Sequence, residues 1–355
     1  MRQGNLKHFA GWMRLAALIL MAATACEPIY EAEADCAPAY YLEFVYDMNM
    51  DYADAFAAKV PSVSVYAFDA ATEELAGVFT EQGEALGREG YRMRLDLSPG
   101  EYEFVAWCGL ADHDDHFSVP ENVGRLEDAG CTLSREHDTG GKAFLAKELS
   151  ALFHGRIAAS LPDDNLEHTY TVPLVKNTNN INLSLQEISG KALDPDRFDI
   201  RLTARNGMMA FDNSLVEDED IDFCPYVKRW GTAEVEGSRA DGDVVRHDVV
   251  VTEMSTSRLV AGEEPTVTIF DKDAGSVIYT IPLVRWALML KSQQYHSMGD
   301  QEYLDREDEF NVILYMKGEN EIIPDDPDHY LAVGVMINGW RLVINDGTEL
   351  GGGSN

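Results

Sequence analysis

Basic residues are scarce: 28 lysines and arginines stand against 62 aspartates and glutamates, a formal charge of −34. A field of that sign repels phosphate backbones and anionic head groups, which excludes DNA and RNA as partners. Cysteine is also sparse, with five residues, no CxxC pair and wide spacing, which argues against a zinc site. Past the N-terminus, long hydrophobic runs are missing. The best later stretch, Ile281 to Leu290, is interrupted by Arg285 and falls short of the roughly 20 apolar residues a membrane helix needs. No HExxH, GxSxG or phosphate-cradling glycine loop occurs, and carboxylates are too plentiful to single out an acid–base pair. The expectation is a chain with no enzymatic activity and no cofactor.

What is present begins at the N-terminus. Arg2, Lys7 and Arg14 precede an apolar run from Leu15 to Ala25, and Ala23, Thr24 and Ala25 lead into Cys26. That layout is a secretion signal. A cysteine at the cleavage point indicates a bacterial lipoprotein, cut before Cys26 and acylated on its sulfur; the alternative is an ordinary signal peptide whose cleavage site includes a cysteine. Loss of residues 1–25 removes three basic residues and no acidic ones, taking the charge from −34 to −37. Glu27, Glu31, Glu33 and Asp35 then make residues 26–40 an acidic flexible tether, too poor in apolar side chains to offset the cost of ordering. These acidic residues point to display on the outer face of the membrane, with display on the periplasmic face as the alternative.

The remaining periodicity is that of strands. Tyr41–Asp47, Val63–Asp69, Arg92–Leu97 and Glu101–Trp107 are short alternating or aromatic runs, and Ser98-Pro99-Gly100 punctuates the last two as a hairpin. Thr169–Val175 and Ile181–Gln186 flank a turn-rich Asn177-Thr178-Asn179-Asn180. Further strands are expected at Phe198–Ala204, Thr266–Asp271, Ser276–Leu283, Asn311–Lys317, Tyr330–Ile337 and Trp340–Asn345. Asn338-Gly339 between the last two is a hairpin signal, because both residues tolerate the positive φ of a type I′ turn. Helical pattern is limited to Asp51–Val60, Lys142–Leu152 and Val284–Tyr295. A weak internal repeat sets Phe68-Asp69 against Phe270-Asp271, each leading through a polar turn into a return strand. Two β-sandwiches in series, residues 41–178 and 179–355, fit this spacing better than one large barrel.

Certain words in these strands carry a family resemblance. The N-terminal half reads Leu42-Glu43-Phe44-Val45-Tyr46-Asp47-Met48-Asn49-Met50, then Leu97-Ser98-Pro99-Gly100. The C-terminal half offers Ala204-Arg205-Asn206-Gly207, Ser257-Arg258-Leu259, Gln301-Glu302-Tyr303-Leu304-Asp305-Arg306-Glu307 and Ile337-Asn338-Gly339-Trp340. In order and spacing the chain resembles the FimB/Mfa family of fimbrial subunits, minor or anchor components of type V pili. The resemblance implies two transthyretin-like Greek-key sandwiches in tandem, a lipid anchor in the outer membrane, and pilin subunits as partners joined by strand addition. It implies that the first strand stays in place, since cutting between it and Cys26 would release the fibre. Trp340, Leu342 and Ile344 share one face of the last strand, which either completes the second sandwich or contributes to the fibre joint. The rival reading is a surface lipoprotein that binds a glycan or host protein outside any fibre.

Other constellations are weighed against plainer roles. Among Cys36, Cys108, Cys131 and Cys224, a disulfide between Cys108 and Cys131 would close a modest loop, against free buried thiols. His113 and His116 in Asp112-His113-Asp114-Asp115-His116 could hold a metal, but a solvated loop is the plainer reading, and no metal is expected. Glu217-Asp218-Glu219-Asp220 and Asp325-Asp326-Pro327-Asp328 lack the ligand alternation of a calcium loop and read as solvated. Trp107, Trp230, Trp286 and Trp340 all sit in or near strand-like or helical segments, where core packing is the plainer role for most of them; Trp230, beside Lys228 and Arg229, is the best candidate for an exposed ring.

Overall fold

A computed structural model describes residues 38–110, 116–189, 191–236, 244–318, 330–338 and 340–343. Cys26, Cys36, the tether ahead of residue 38, His113, Asp325–Asp328 and Ile344 lie outside the described residues. The chain first supplies β1 (Ala39–Val45), the single helical turn α1 (Phe56–Lys59), β2 (Ser62–Asp69), β3 (Leu75–Gln82), β4 (Met93–Leu95) and β5 (Gly100–Cys108). Four short strands follow, β6 (Phe117–Ser118), β7 (Cys131–Leu133), β8 (Glu136–His137) and β9 (Ala143–Leu145), before the longer β10 (Phe153–Leu161) and β11 (Glu167–Lys176). The second half holds β12 (Thr178–Glu187), β13 (Phe198–Ala204), β14 (Met208–Met209), β15 (Ile221–Phe223), β16 (Val227–Glu236), β17 (Val244–Ser257), β18 (Thr266–Asp271) and β19 (Ser276–Pro282). It ends with α2 (Leu283–Met289), α3 (Asp300–Arg306), β20 (Glu309–Gly318), β21 (Tyr330–Ile337) and β22 (Trp340–Val343). The architecture is all-β, as the spacing implies.

The first domain is one seven-stranded sheet in the order β3-β2-β5-β10-β11-β1-β4, folded over on itself at β11. Glu167 to Pro173 of β11 run parallel to β1, whereas Leu174 to Lys176 pair with β10. The switch falls at Pro173, which has no N–H to give to either ladder. Opposite it, Gly155 leaves no room for a side chain: a Cβ there would stand 2.8 Å from the Pro173 carbonyl oxygen and 2.6 Å from Val172. The fold encloses Leu42 and Phe44 of β1, Val63 and Val65 of β2, Phe104 and Ala106 of β5, and Val172 and Leu174 of β11 in one core. β1 is paired along both edges, with β11 and β4.

The second domain is a sandwich of two six-stranded sheets, β16-β17-β12-β20-β21-β22 and β19-β18-β13-β15-β9-β8. Strict alternation builds it. Ile181, Leu183 and Leu185 of β12 and Phe310, Val312, Leu314 and Met316 of β20 face Phe198, Ile200 and Leu202 of β13 across a shared core. The internal repeat is visible in the pairing: β1 lies between antiparallel β4 and parallel β11, and β12 lies between antiparallel β17 and parallel β20. The two Phe-Asp words end equivalent bulged strands. Asp69 Oδ1 accepts from the amides of Ala71 and Thr72, and Asp271 Oδ1 from those of Asp273 and Ala274, each holding the turn into β3 or β19.

Several expectations are corrected. Residues 41–178 do not form a closed unit, because β8 and β9 extend a sheet of the second domain through the parallel pair β9–β15, and β7 pairs with β14. Lys142–Leu152 is therefore no helix: Ala143–Leu145 is drawn into that sheet as β9, a tertiary pairing that overrides local propensity. Ser98-Pro99-Gly100 is no hairpin, since β4 pairs with β1 and β5 with β2 and β10; the chain crosses there from one half of the folded sheet to the other. Asn177–Asn180 is not a turn either. Only Asn177 separates β11 from β12, and it is fully buried. Asp51–Val60 shrinks to α1, held by Asp54 Oδ1, which accepts from Tyr46 N at 2.9 Å and Phe56 N at 3.0 Å. The closing hairpin forms as expected, with Ile337 opposite Trp340 and Asn338 at φ 47°.

Candidate functional site

The family words converge on the junction between the two domains. Asn206, between β13 and β14, is buried, and its Nδ2 lies within 3.1 Å of Thr256 Oγ1 and the carbonyl oxygens of Ser257 and Arg258. It thereby ties the β13 exit to the end of β17. Gly207 follows in a tight spot: a Cβ would meet the tips of the Ile221 and Asp218 side chains at 2.5 and 2.6 Å, and these would have to move aside. Arg258 forks onto Asp305 of α3, with Nη2 at 2.9 Å from both carboxylate oxygens and Nε at 3.1 Å from Oδ1. Both side chains are nearly out of solvent, where bidentate geometry is needed to offset desolvation. Gln301 closes the ring, donating to Asp305 and to the Leu259 carbonyl and accepting from Ala261 N. A cavity of about 350 Å³ opens beside this cluster, lined in part by Arg205, Asn206, Arg258 and Leu259.

From this ring the network reaches the first domain along two lines. Arg258 Nη1 donates to the Asn213 carbonyl at 2.5 Å. Asn213 in turn exchanges amide hydrogen bonds with the connector residue Asn177, at 2.6 and 3.1 Å. On the other line, Arg306 Nη1 donates to the carbonyls of Asp47 and Asn49, just past β1, and its guanidinium lies 4.3 Å from the Tyr52 ring centre. Lys176 at the end of β11 pairs with Asp308. Apolar packing joins in: Phe68, Val105 and Trp107, on the outer face of β2 and β5, belong to the core of the second domain. Trp107 Nε1 donates to the Ala129 carbonyl at 2.8 Å, and its ring lies 4.6 Å from that of His154, whose Nε2 meets the Phe211 carbonyl at 2.9 Å. Burial pushes the His154 imidazole down to about 4 and the Glu307 carboxyl up to about 7.

The other candidate residues fall as follows. Cys108 and Cys131 do not form a disulfide. Both thiols are free and buried, Cys108 on β5 in the core of the first domain and Cys131 on β7, a strand of a separate sheet, in that of the second; burial raises both, Cys131 to about 12. The acidic run 217–220 is not simply solvated: Asp218 pairs with Arg135 at 2.7 Å, Glu219 with His137 at 3.1 Å and Asp220 with Arg205 at 2.6 Å. Trp107 and Trp286 are buried, while Trp230 on the edge strand β16 is 65% exposed, its indole N–H held by the Leu193 carbonyl at 2.6 Å. Trp340 and Leu342 lie on β22, at the edge of a six-stranded sheet beside β21, without any residue of the junction for a neighbour in that sheet. Among the described residues no group of histidine, cysteine, aspartate and glutamate has the makings of a metal site.

Sequence reasoning found the junction words but missed their shared purpose. It read Asn177 as part of a turn and passed over Asn213, which stands alone in Phe211-Asp212-Asn213-Ser214 with no local signal of its role.

Comparison with known proteins agrees with this architecture along nearly the whole chain. Residues 33–346 match the family described as fimbrillin-A associated anchor proteins Mfa1 and Mfa2. A candidate adhesin of Bacteroides thetaiotaomicron is similar at 32% identity, covering 86% of this chain and 97% of its own, with a TM-score of 0.72. A candidate polysaccharide-binding protein of the same organism shares 26% identity over 87% of this chain and 98% of its own, TM-score 0.69. The fimbrial anchor protein Mfa2 of Porphyromonas gingivalis shares the fold at 19% identity, over 87% and 99% of the two chains, TM-score 0.62. No functionally curated protein sequence matches.

Proposed function

The chain belongs to the family of fimbrillin-A associated anchor proteins, and from that premise we propose that it is an outer-membrane lipoprotein serving as anchor or minor subunit of a type V fimbria. In this reading Cys26 carries the lipid, residues 26–37 reach from the membrane, and the folded body meets pilin subunits through strand-mediated contact. The work is mechanical, and no catalytic step is assigned to it. The observation that carries the reading is the span of the family match, residues 33–346. Support comes from β1, which is paired on both edges and buries Leu42 and Phe44, as a strand that must stay joined to its tether would be. The repeated placement of β1 and β12, each between an antiparallel and a parallel partner, supports two transthyretin-like Greek-key domains in tandem.

Replacement of Cys26 by serine tests the anchor. The protein and its fibres are expected to leave the membrane fraction for the medium, because each buried acyl methylene contributes about 0.8 kcal/mol to retention. Unchanged membrane retention of Cys26→Ser would overturn the reading. One observation favours a second role, capture of a glycan: Trp230 presents an exposed ring held in place through its indole N–H. Binding to a polysaccharide panel that vanishes in Trp230→Ala, together with no pilin in the native complex, would favour it.

A further inference from the structure

A free strand edge is a row of unpaired N–H and C=O groups, and proteins guard such rows with lysine, proline, bulges or covering chain. Three long edges end the described sheets: β3, β16 and β19. β16 carries Lys228 and Arg229, and β19 ends in Pro282 and lies against β21. β3 reads Leu-Ala-Gly-Val-Phe-Thr-Glu-Gln, with no lysine, arginine or proline. Only its start is covered, where Leu75 N donates to the Gly124 carbonyl and Glu74 bridges to Arg125. Past the bulge at Ala76, which has no partner on β2, Gly77 to Gln82 pair in regular register with β2, and among the described residues no strand pairs along their other side.

The register shows which groups are free. Gly83 N donates to the Pro61 carbonyl at 3.0 Å, and pairing continues from there as Ser62 with Gln82 and Val63 with Glu81. Bonded and non-bonded pairs alternate in an antiparallel ladder. Glu81, Phe79 and Gly77 therefore turn their backbone groups to β2, and Gln82, Thr80 and Val78 turn theirs outward, where the Gln82 N–H already donates to Glu81 Oε1 at 3.1 Å and those of Thr80 and Val78 are on offer. The side chains of these three residues are exposed, Val78 at 48%. On the opposite face Phe79, with Tyr91 and Leu97, only half covers the first core. The buried Tyr91 hydroxyl has no hydrogen-bond partner among the described residues. Glu81 and Glu84 make the far end of the edge acidic.

We propose that the free edge of β3, Gly77–Gln82, is the seat on which an extended segment of the neighbouring fibre subunit adds as a further strand. This rests on the fibre reading above and names its joint. The backbone row demands an extended chain. The half-covered Phe79 and Leu97 ask for apolar side chains at alternate positions. Glu81 and Glu84 ask for a lysine or arginine at that end of the occupant. β1 need not leave for the strand to dock.

The test measures how much purified stalk pilin of the same fibre is retained by the detergent-solubilised full-length lipoprotein. Thr80→Pro removes an outward N–H and touches no bond to β2; Val78→Lys adds a guarding charge and leaves the backbone alone. Each is expected to cut retained pilin by about tenfold, with the thermal midpoint unchanged. If Thr80→Pro unfolds, Val78→Lys carries the test. A photo-crosslinker placed at Val78 should form its adduct with the pilin. Retention at the wild-type level in folded Val78→Lys would overturn the β3 seat and leave the anchor reading standing. A wild-type protein that retains no pilin would overturn both.

Discussion

The domain junction and the outer edge of β3 are opposite kinds of surface. At the junction, buried side chains bond to named partners: Arg258 to Asp305, Asn177 to Asn213, Arg306 to the carbonyls of Asp47 and Asn49. Along β3 the side chains are neutral apart from Glu81, and the polar groups on offer belong mainly to the backbone. A buried side-chain network accepts few substitutes, because a half-satisfied one costs more than none. A backbone edge accepts almost any residue that leaves its N–H free. The junction is accordingly where the recognisable words of the sequence lie, and the edge is where they do not.

The contrast can be broken most forcefully at Arg258. Arg258→Ala leaves the Asp305 carboxylate nearly buried without its fork, and a loss of about 3–5 kcal/mol in urea-induced unfolding is expected. A loss below about 1 kcal/mol would show that the junction is not the load-carrying half of the comparison. Glu307 offers a subtler probe. Burial keeps its carboxyl protonated to about pH 7, against an ordinary glutamate value of 4.5. Between those values the folded chain holds more protons than the unfolded one, so the stability from this group is full below pH 4.5 and lost as the pH rises to 7. His154 acts in the other sense: its neutral form is held down to about 4 against an ordinary 6.5, so its contribution is lost as the pH falls through that window. In Glu307→Gln only the histidine term remains, and the thermal midpoint should climb with pH between 4.5 and 6.5 more steeply than in the wild type. A parallel pair of profiles would contradict this. The smallest effect is expected at the edge, where Val78→Ser should shift stability by no more than about 0.5 kcal/mol; a shift above 1 kcal/mol would mean that β3 is held by more than its pairing with β2.

The same contrast explains what could be read in advance. Phe198–Ala204 and Thr266–Asp271 were legible because alternation on a half-buried strand is imposed residue by residue. The Asn338 turn was legible because few residues adopt a positive φ. The domain boundary was not. Nothing local in Ala143-Phe144-Leu145 tells that it will run parallel to Ile221–Phe223, far along the chain. Asn177–Asn180 misled for a related reason: asparagine amides serve turns by bonding to nearby backbone, but here Asn177 bonds to Asn213 and Asn179 to the Ser257 carbonyl. Cys108 and Cys131 looked pairable by spacing alone, yet the strands between them aim the two thiols into separate cores. The resemblance located Arg258 and Asp305 without revealing that they form one fork.

The double pairing of β1 has a mechanical meaning. A pull on the N-terminal side of Ala39 runs along the axis of β1, so its ladder to Glu167–Pro173 and its shorter one to β4 are loaded in shear, all bonds at once. β22, described over four residues, is paired among the described residues with β21 alone, so a pull across it would peel its bonds singly. Under tension the body is tougher at β1 than at β22.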